Sequence, residues 1–383
     1  MSHLLYLDNS STTKINNSVQ KTVSTTMEKY WANPSSLHGL GVLSEKVINQ
    51  SRKLIADPLN VSPEEIYFTS GGTESNNMFI KGVLDTYQGT MGHIITTKIE
   101  HPAVSEVIKS YEKKGWQVSW LDVNEDGIIS LDELKRVLSK DTLLTAIMHV
   151  NNETGSIQPI KEAAKLVKEN SRSLFFSDGV QGFLKVPIDL KNTLIDGYSI
   201  SGHKINGPKG IGAIYIRKNI VLKPFLQGGG QEKTFRSGTE NVPGIAGLAK
   251  AVQIFKDEYE VLNKKNIIRR QDFIKMLSEK IPEIRINSPE ATKASPYIIN
   301  FSLPGIQGET ILHALEESKI YVSTGSACSG KDKKYSSVLL AMGLENEYLK
   351  GAIRISMALE DWPKDKEVVY FVDKLKEIWE RYK

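Results

Sequence analysis

The sequence has 383 residues, 40% hydrophobic and 25% charged, which is ordinary globular usage and enough chain to bury a sizeable core without staples. Its 49 basic and 45 acidic residues leave a net charge of +4, too weak to argue for nucleic acid or a membrane as the main partner. One cysteine excludes an internal disulfide, no run approaches ~20 apolar residues, and no signal-peptide pattern opens the chain, so a soluble, cytoplasmic protein is expected.

Short apolar runs alternate with amphipathic stretches, without repeats or low-complexity tracts. In chain order the pattern predicts a strand over 66–69, a helix over 73–87, a strand over 93–97, a helix over 102–114 and a strand over 116–123. Next come a strand over 143–150, a helix over 160–170, and strands over 174–178, 197–201 and 211–216. This alternation, from about residue 15 to about residue 255, predicts an α/β layer with a mostly parallel sheet. One long helical stretch covers 242–270. Beyond it, strands over 284–286, 297–303 and 353–358 interleave with helices over 308–318, 335–342 and 364–382, which reads as a smaller α+β domain.

One motif is set aside. Asp122-Val123-Asn124-Glu125-Asp126-Gly127, closed by Glu133, matches the calcium-loop pattern literally. That loop needs a helix before it, whereas 116–121 alternates like a strand. The reading is a turn followed by a helix starting near Ser130 or Leu131, with no metal site.

Four segments carry chemistry. Lys204 closes a strand beside the Gly/Pro-rich run 205–212, where an imine-forming amine would sit. A lone lysine is usually a solvated charge. In Thr69-Ser70-Gly71-Gly72-Thr73 a strand runs through two glycines into a helix, which suits a phosphate, though an N-cap by Ser70 or Thr73 reads as well. Asp178, just past a buried strand with Gln181 three residues on, suits a protonated ring nitrogen, or else caps a helix. His101 suits stacking on a flat ring or moving protons, or is structural. All four lie at carboxyl ends of predicted parallel strands, the edge where open α/β sheets bind ligands.

With these segments the chain closely resembles the cysteine desulfurases of the NifS/IscS type, in the class V aminotransferase group. The resemblance runs from Tyr6-Leu7-Asp8-Asn9-Ser10-Ser11-Thr12-Thr13 through Asn33-Pro34-Ser35-Ser36-Leu37-His38 and His149-Val150-Asn151-Asn152-Glu153. It continues in Ser201-Gly202-His203-Lys204, Arg236-Ser237-Gly238-Thr239 and Gly325-Ser326-Ala327-Cys328. It implies a fold type I pyridoxal-phosphate enzyme. Residues 15–258 would form a large domain with a mostly parallel seven-stranded sheet. Residues 1–14 and 259–383 would form a small α+β domain carrying the Cys328 loop and Arg354.

The resemblance also implies roles. Lys204 bonds covalently to pyridoxal phosphate and, once released, takes the α-proton of L-cysteine. Asp178 pairs with the ring nitrogen, His101 stacks on the ring, and Gln181 faces the phenolic oxygen. Gly72, Thr73, Ser201 and His203 hold the phosphate, and Thr239 reaches the phosphate of a neighbouring subunit, implying a homodimer. Asn152 lies near the cofactor and, with Asn33 and Arg354, orients the substrate. The Cys328 thiolate takes the sulfur as a persulfide and passes it to an acceptor protein, an iron–sulfur scaffold or a tRNA- or cofactor-thiolation enzyme. Two departures stand out: Ser11 in place of an alanine, with little effect expected, and the charged run Lys331 to Lys334, bearing on acceptor choice. The chain given ends after an amphipathic helix, where iron–sulfur-feeding relatives carry a longer docking tail, so a tRNA- or cofactor-thiolation enzyme is an equally good acceptor. The alternatives are a selenocysteine lyase or a small-amino-acid aminotransferase on the same fold, or a non-catalytic sulfur-delivery or binding module.

Overall fold

The computed structural model describes residues 4–87, 91–325 and 335–383. The chain opens on β1 (Leu5–Tyr6). Seven strands then form one sheet: β2 (Ile66–Thr69), β3 (His93–Thr97), β4 (Gln117–Leu121), β5 (Thr142–Ala146), β6 (Leu174–Ser177), β7 (Gly197–Ser201) and β8 (Gly212–Ile216). Their order is β2-β8-β7-β6-β5-β3-β4, and β8 alone runs opposite to the other six. The class expected from the alternation, α/β with a mostly parallel sheet, is the one found.

Strand alternation builds two cores, one on each face. Tyr67, Ile94, Phe176 and Ile214 pack with the helices Gly72–Thr86 and Pro102–Glu112. Their chain neighbours Phe68, Ile95, Phe175 and Ala213 turn to the other face, against Asn17–Lys29, Ile160–Asn170 and Val242–Phe255. A Phe79–Phe176 ring stack, 4.8 Å between centroids, ties the first helix to the sheet.

The remaining strands are short. β9 (Arg285–Ile286), β10 (Ile298–Ser302) and β12 (Ala352–Ser356) form an antiparallel sheet of order β12-β10-β9, while β11 (Ile320–Tyr321) pairs in parallel with β1. The long helix expected over 242–270 is two helices, Val242–Phe255 and Tyr259–Lys280. Glu258 N–H closes a tight turn on Phe255 C=O (3.1 Å), and Lys256 pairs with Asp57 (2.6 Å) at the break. The second helix stops only at Ile281-Pro282, where the proline disfavours helical backbone before it.

The 122–133 segment follows β4 directly, as its alternation implies. Asn124 Oδ1 accepts from the N–H groups of Asp126 and Ile128, making a turn, and Ser130 caps Leu131–Val137. Asp122 and Asp126 are paired with Lys98 and Lys293 (2.6 and 2.7 Å). Among the described residues no helix is long and apolar enough to cross a membrane.

Candidate active site

β2, β3, β5, β6 and β7 all point their carboxyl ends to one edge of the sheet. There they frame a cleft of ≈ 740 Å³, open at its mouth. Far apart in the sequence, these segments are joined because each follows one of these strands. Lys204 ends the single turn after β7, Asp178 follows β6, Asn152 follows β5, His101 follows β3, and Gly72 and Thr73 follow β2. All six line the cleft, with Gln181, Ser201, His203 and Arg354.

Two glycines fix the approach of β2 to its neighbours. A Cβ on Gly72 would lie 2.5 Å from Val180 Cγ2, and one on Gly212 would lie 2.6 Å from Gly71 Cα. The helix Gly72–Thr86 therefore starts tight against the cleft wall. Its N-cap is Gly71, which supplies no side-chain bond, so neither Ser70 nor Thr73 caps it. The uncapped first turn, at the positive end of the helix dipole, lines the cleft together with Ser201 and His203.

Lys204 Nζ donates to the Ser10 and Ser11 carbonyls (2.6 and 2.7 Å), so the N-terminal segment forms one wall. Asp178 is buried; it accepts from Asn76 Nδ2 (2.6 Å), Val180 N–H (3.0 Å) and Ser199 Oγ (3.3 Å). The Val180 bond closes a local turn; no helix follows Asp178, so the helix cap weighed for this acid is not what holds it there. His101 likewise caps Pro102–Glu112 through Nδ1, which accepts from Ala103 N–H (3.1 Å). Burial, opposed by Asp178 and reinforced by Lys204, pushes its pKa down, so the ring is neutral with its proton on Nε2. Burial and the nearby lysines push His203 down to about 4.

Arg354 is almost wholly buried on β12. Its Nη2 donates to Asp8 Oδ1 (2.7 Å) and Ser11 Oγ (2.8 Å), and Nη1 to the Asn152 carbonyl (3.0 Å). The salt bridge weighed as its structural role is thus present. Its Nε lacks a partner among the described residues. Ser11, expected to matter little, also donates to Asp8 Oδ1 (2.8 Å), so its hydroxyl helps hold Arg354 in place.

Two predicted residues lie elsewhere. Thr239 borders a separate recess with Ser70 and Gly238. Asn33 is exposed and closes a turn through Ser35 N–H (2.9 Å). Cys328 lies outside the described residues. Ser10 and Asn76, which also line the cleft, were not singled out. Asn76 sits one turn along the helix from Gly72, a spacing that puts both on one helix face and is readable only once the helix is known to border a site.

Glu100, next to His101, is buried; Oε1 accepts from Thr97 Oγ1 and Met148 N–H (both 2.9 Å), and Oε2 has no partner among the described residues. Burial foremost raises its pKa from 4.5 to about 8. Its folded form therefore holds a proton that the unfolded chain releases, and the resulting stability, complete below pH 4.5, is lost as the pH rises to about 8. Glu100→Gln removes that loss. Its melting temperature is expected to gain on the parent's between about pH 5 and about pH 9; parallel curves in thermal unfolding would contradict this.

The match to known proteins agrees with this architecture. The family model Aminotransferase class-V matches residues 5–368. The chain is 42% identical over 361 residues to a protein of Methanosarcina thermophila named cysteine desulfurase IscS, covering 94% of this chain and 89% of that one. Among solved structures, a NifS-like protein superposes with a TM-score of 0.92 at 36% identity, covering 99% of this chain and all of the other (100%). A structure titled SspA in complex with cysteine superposes with a TM-score of 0.81 at 33% identity, covering 92% of this chain and 98% of the other. A class-V aminotransferase scaffold is what the fold and cleft define. The chain belongs to the class-V aminotransferase family, in its cysteine desulfurase branch.

Proposed function

We propose that this protein is a pyridoxal-phosphate-dependent cysteine desulfurase that converts L-cysteine to L-alanine and carries the sulfur as a persulfide on Cys328. The observation that carries the reading is the convergence of Lys204, Asp178, His101, Gln181 and Arg354 on one cleft. It combines an amine for a carbonyl, an acid for a ring nitrogen, a flat ring, and a guanidinium for a carboxylate.

The cleft fits the cofactor. Ser201 Oγ is buried there without a partner among the described residues, beside the uncapped helix start at Gly72 and Thr73, which suits a phosphate. Asp178 lies where three donors already hold its carboxylate in place. When bound, pyridoxal phosphate supplies an electron sink for charge developing at the substrate Cα. Lys204 provides the amine that holds it covalently and, when displaced, the base for the α-proton. Asn152 and Arg354 orient the substrate carboxylate, for which Arg354 keeps its Nε–H. Neutral His101 covers the ring and is able to pass protons. The Cys328 thiolate attacks the substrate sulfur; the C–S bond breaks, its electrons return to carbon, and carbon then takes a proton to give alanine. A thiol on the acceptor protein receives the outer sulfur by exchange.

We assign cofactor binding to residues 15–258 and the Cys328 loop and Arg354 to a unit of residues 1–14 and 259–383. A homodimer is supported by exposed apolar side chains at Trp31, Leu37, Leu40 and Leu43, and by Thr239 facing a recess away from its own cleft. The acceptor is an iron–sulfur scaffold or a thiolation enzyme, and the cytoplasm is the expected compartment.

The test is turnover of the purified, pyridoxal-phosphate-loaded protein with L-cysteine and a thiol reductant. Alanine and sulfide are expected in equal amounts. Transfer of the amino group to an added keto acid, without sulfide, would replace this reading with the aminotransferase one.

A further inference from the structure

The loop after Asp178 buries a lysine that the reaction above does not use. Lys185 is 1% exposed, yet among the described residues no carboxylate is bonded to it. Its Nζ donates to Gln181 Oε1 (3.2 Å), and the charged groups acting on it, Lys204 and Arg354, are both cations. Burial, and then these cations, push its pKa down to about 7. Long charged side chains are almost never buried unpaired. Packing alone would be served by methionine or leucine. The backbone is also held in an unfavourable state: Leu184, just before it, has φ +57°, a left-handed conformation uncommon for a branched side chain. The turn persists because Lys185 N–H and Val186 N–H both close on the Gly182 carbonyl (2.9 and 2.8 Å).

The consequence falls on Gln181. Its Nε2 donates to the Ser10 carbonyl (3.0 Å), an acceptor only, while its Oε1 takes the lysine bond. The amide is gripped at both ends, and its nitrogen is turned to the wall of the cleft that Lys204 shares through the same Ser10 carbonyl.

We propose that Lys185 is a positioning residue that fixes the amide of Gln181 so that its N–H faces the cofactor's phenolic oxygen. This rests on the assignment of Lys204 and Gln181 made above. A donor aimed at that oxygen favours its anionic form, so the group formed with Lys204 gives up its proton at lower pH. Loss of the aim raises that pH.

The experiment is an absorption titration of the pyridoxal-phosphate-loaded protein without substrate. Lys185→Met is expected to raise the midpoint by about one pH unit. Lys185→Gln, uncharged but still a donor, is expected to stay within about 0.3 unit of the parent. In a Gln181→Leu background, adding Lys185→Met is expected to move the midpoint no further, because the two act as one unit. Should the methionine variant not fold, Lys185→Leu replaces it in the same comparison. An unchanged midpoint in Lys185→Met overturns the proposal, as does a Lys185→Gln shift as large as that of methionine, or additivity with Gln181→Leu. A parent protein that takes up no pyridoxal phosphate overturns the cleft assignment as well. A parent that binds it and turns over cysteine, with an unmoved midpoint in Lys185→Met, overturns this inference alone.

Discussion

Cys328→Ser is expected to lower alanine and sulfide formation from L-cysteine by at least about 10³-fold while the cofactor's yellow absorption remains. A hydroxyl is a far poorer nucleophile toward sulfur than a thiolate, and this chain has no second cysteine to substitute. The chain on either side of the 326–334 segment converges on Glu153, which follows Asn152 of the cleft. Ser336 Oγ donates to Glu153 Oε2 (2.5 Å), and a Cβ on Gly325 would lie 3.1 Å from that oxygen. Ser323, just before, bridges to Arg354 across β12. Both flanks thus pack against Glu153, one residue past Asn152 of the cleft. An aminotransferase has no use for this thiol. Full amino-group transfer with no sulfur release in the parent protein would favour that alternative, and a Cys328→Ser variant that still releases sulfur would refute the thiol's role. Activity of the parent on selenocysteine that survives Cys328→Ser would point to the lyase.

Lys204→Ala is expected to be as severe by a different route. It removes the covalent hold on the cofactor and the base for the α-proton together, so turnover falls by about 10³-fold or more and the yellow absorption is lost. The structure gives little scope for compensation. Of the amines near the cleft, Lys185 is bonded to Gln181 and buried behind it. Absorption spectra and alanine assays on parent and variant check both effects. A colourless parent would instead support a non-catalytic binding module.

Much of this was legible in the sequence because local and global signals agree. The strands at 93–97 and 197–201 and the helix at 160–170 were placed residue for residue. Those strands, His-Ile-Ile-Thr-Thr and Gly-Tyr-Ser-Ile-Ser, are short, fully buried and rich in β-branched or aromatic residues, and that helix has an apolar stripe of Ile160, Ala163, Ala164 and Val167. The helix Asn17–Lys29 left no such stripe, since only Val19 and Thr26 are buried. In Gly39–Ala56 the exposed Leu40, Val42 and Leu43 blur the apolar face. A two-residue pair such as β1 with β11 is too short to carry a period. The helix break at 256–258 has no glycine or proline to announce it.

The cleft residues were readable for a related reason: each follows an apolar strand, and Gly71, Gly72 and Pro102 punctuate the strand-to-helix turns. Lys185 was not, because a lysine in a turn looks solvated until the fold buries it. Ser11 was underrated because its value lies in Asp8 and Arg354, the latter 343 residues further on.

The most direct measurement is the intact mass of the protein after brief exposure to L-cysteine without reductant. The account predicts a gain of one sulfur atom, mapped by peptide analysis to Cys328, reversed by thiol reductant and lost in Lys204→Ala. Alanine formation with no sulfur ever found on Cys328 would contradict it.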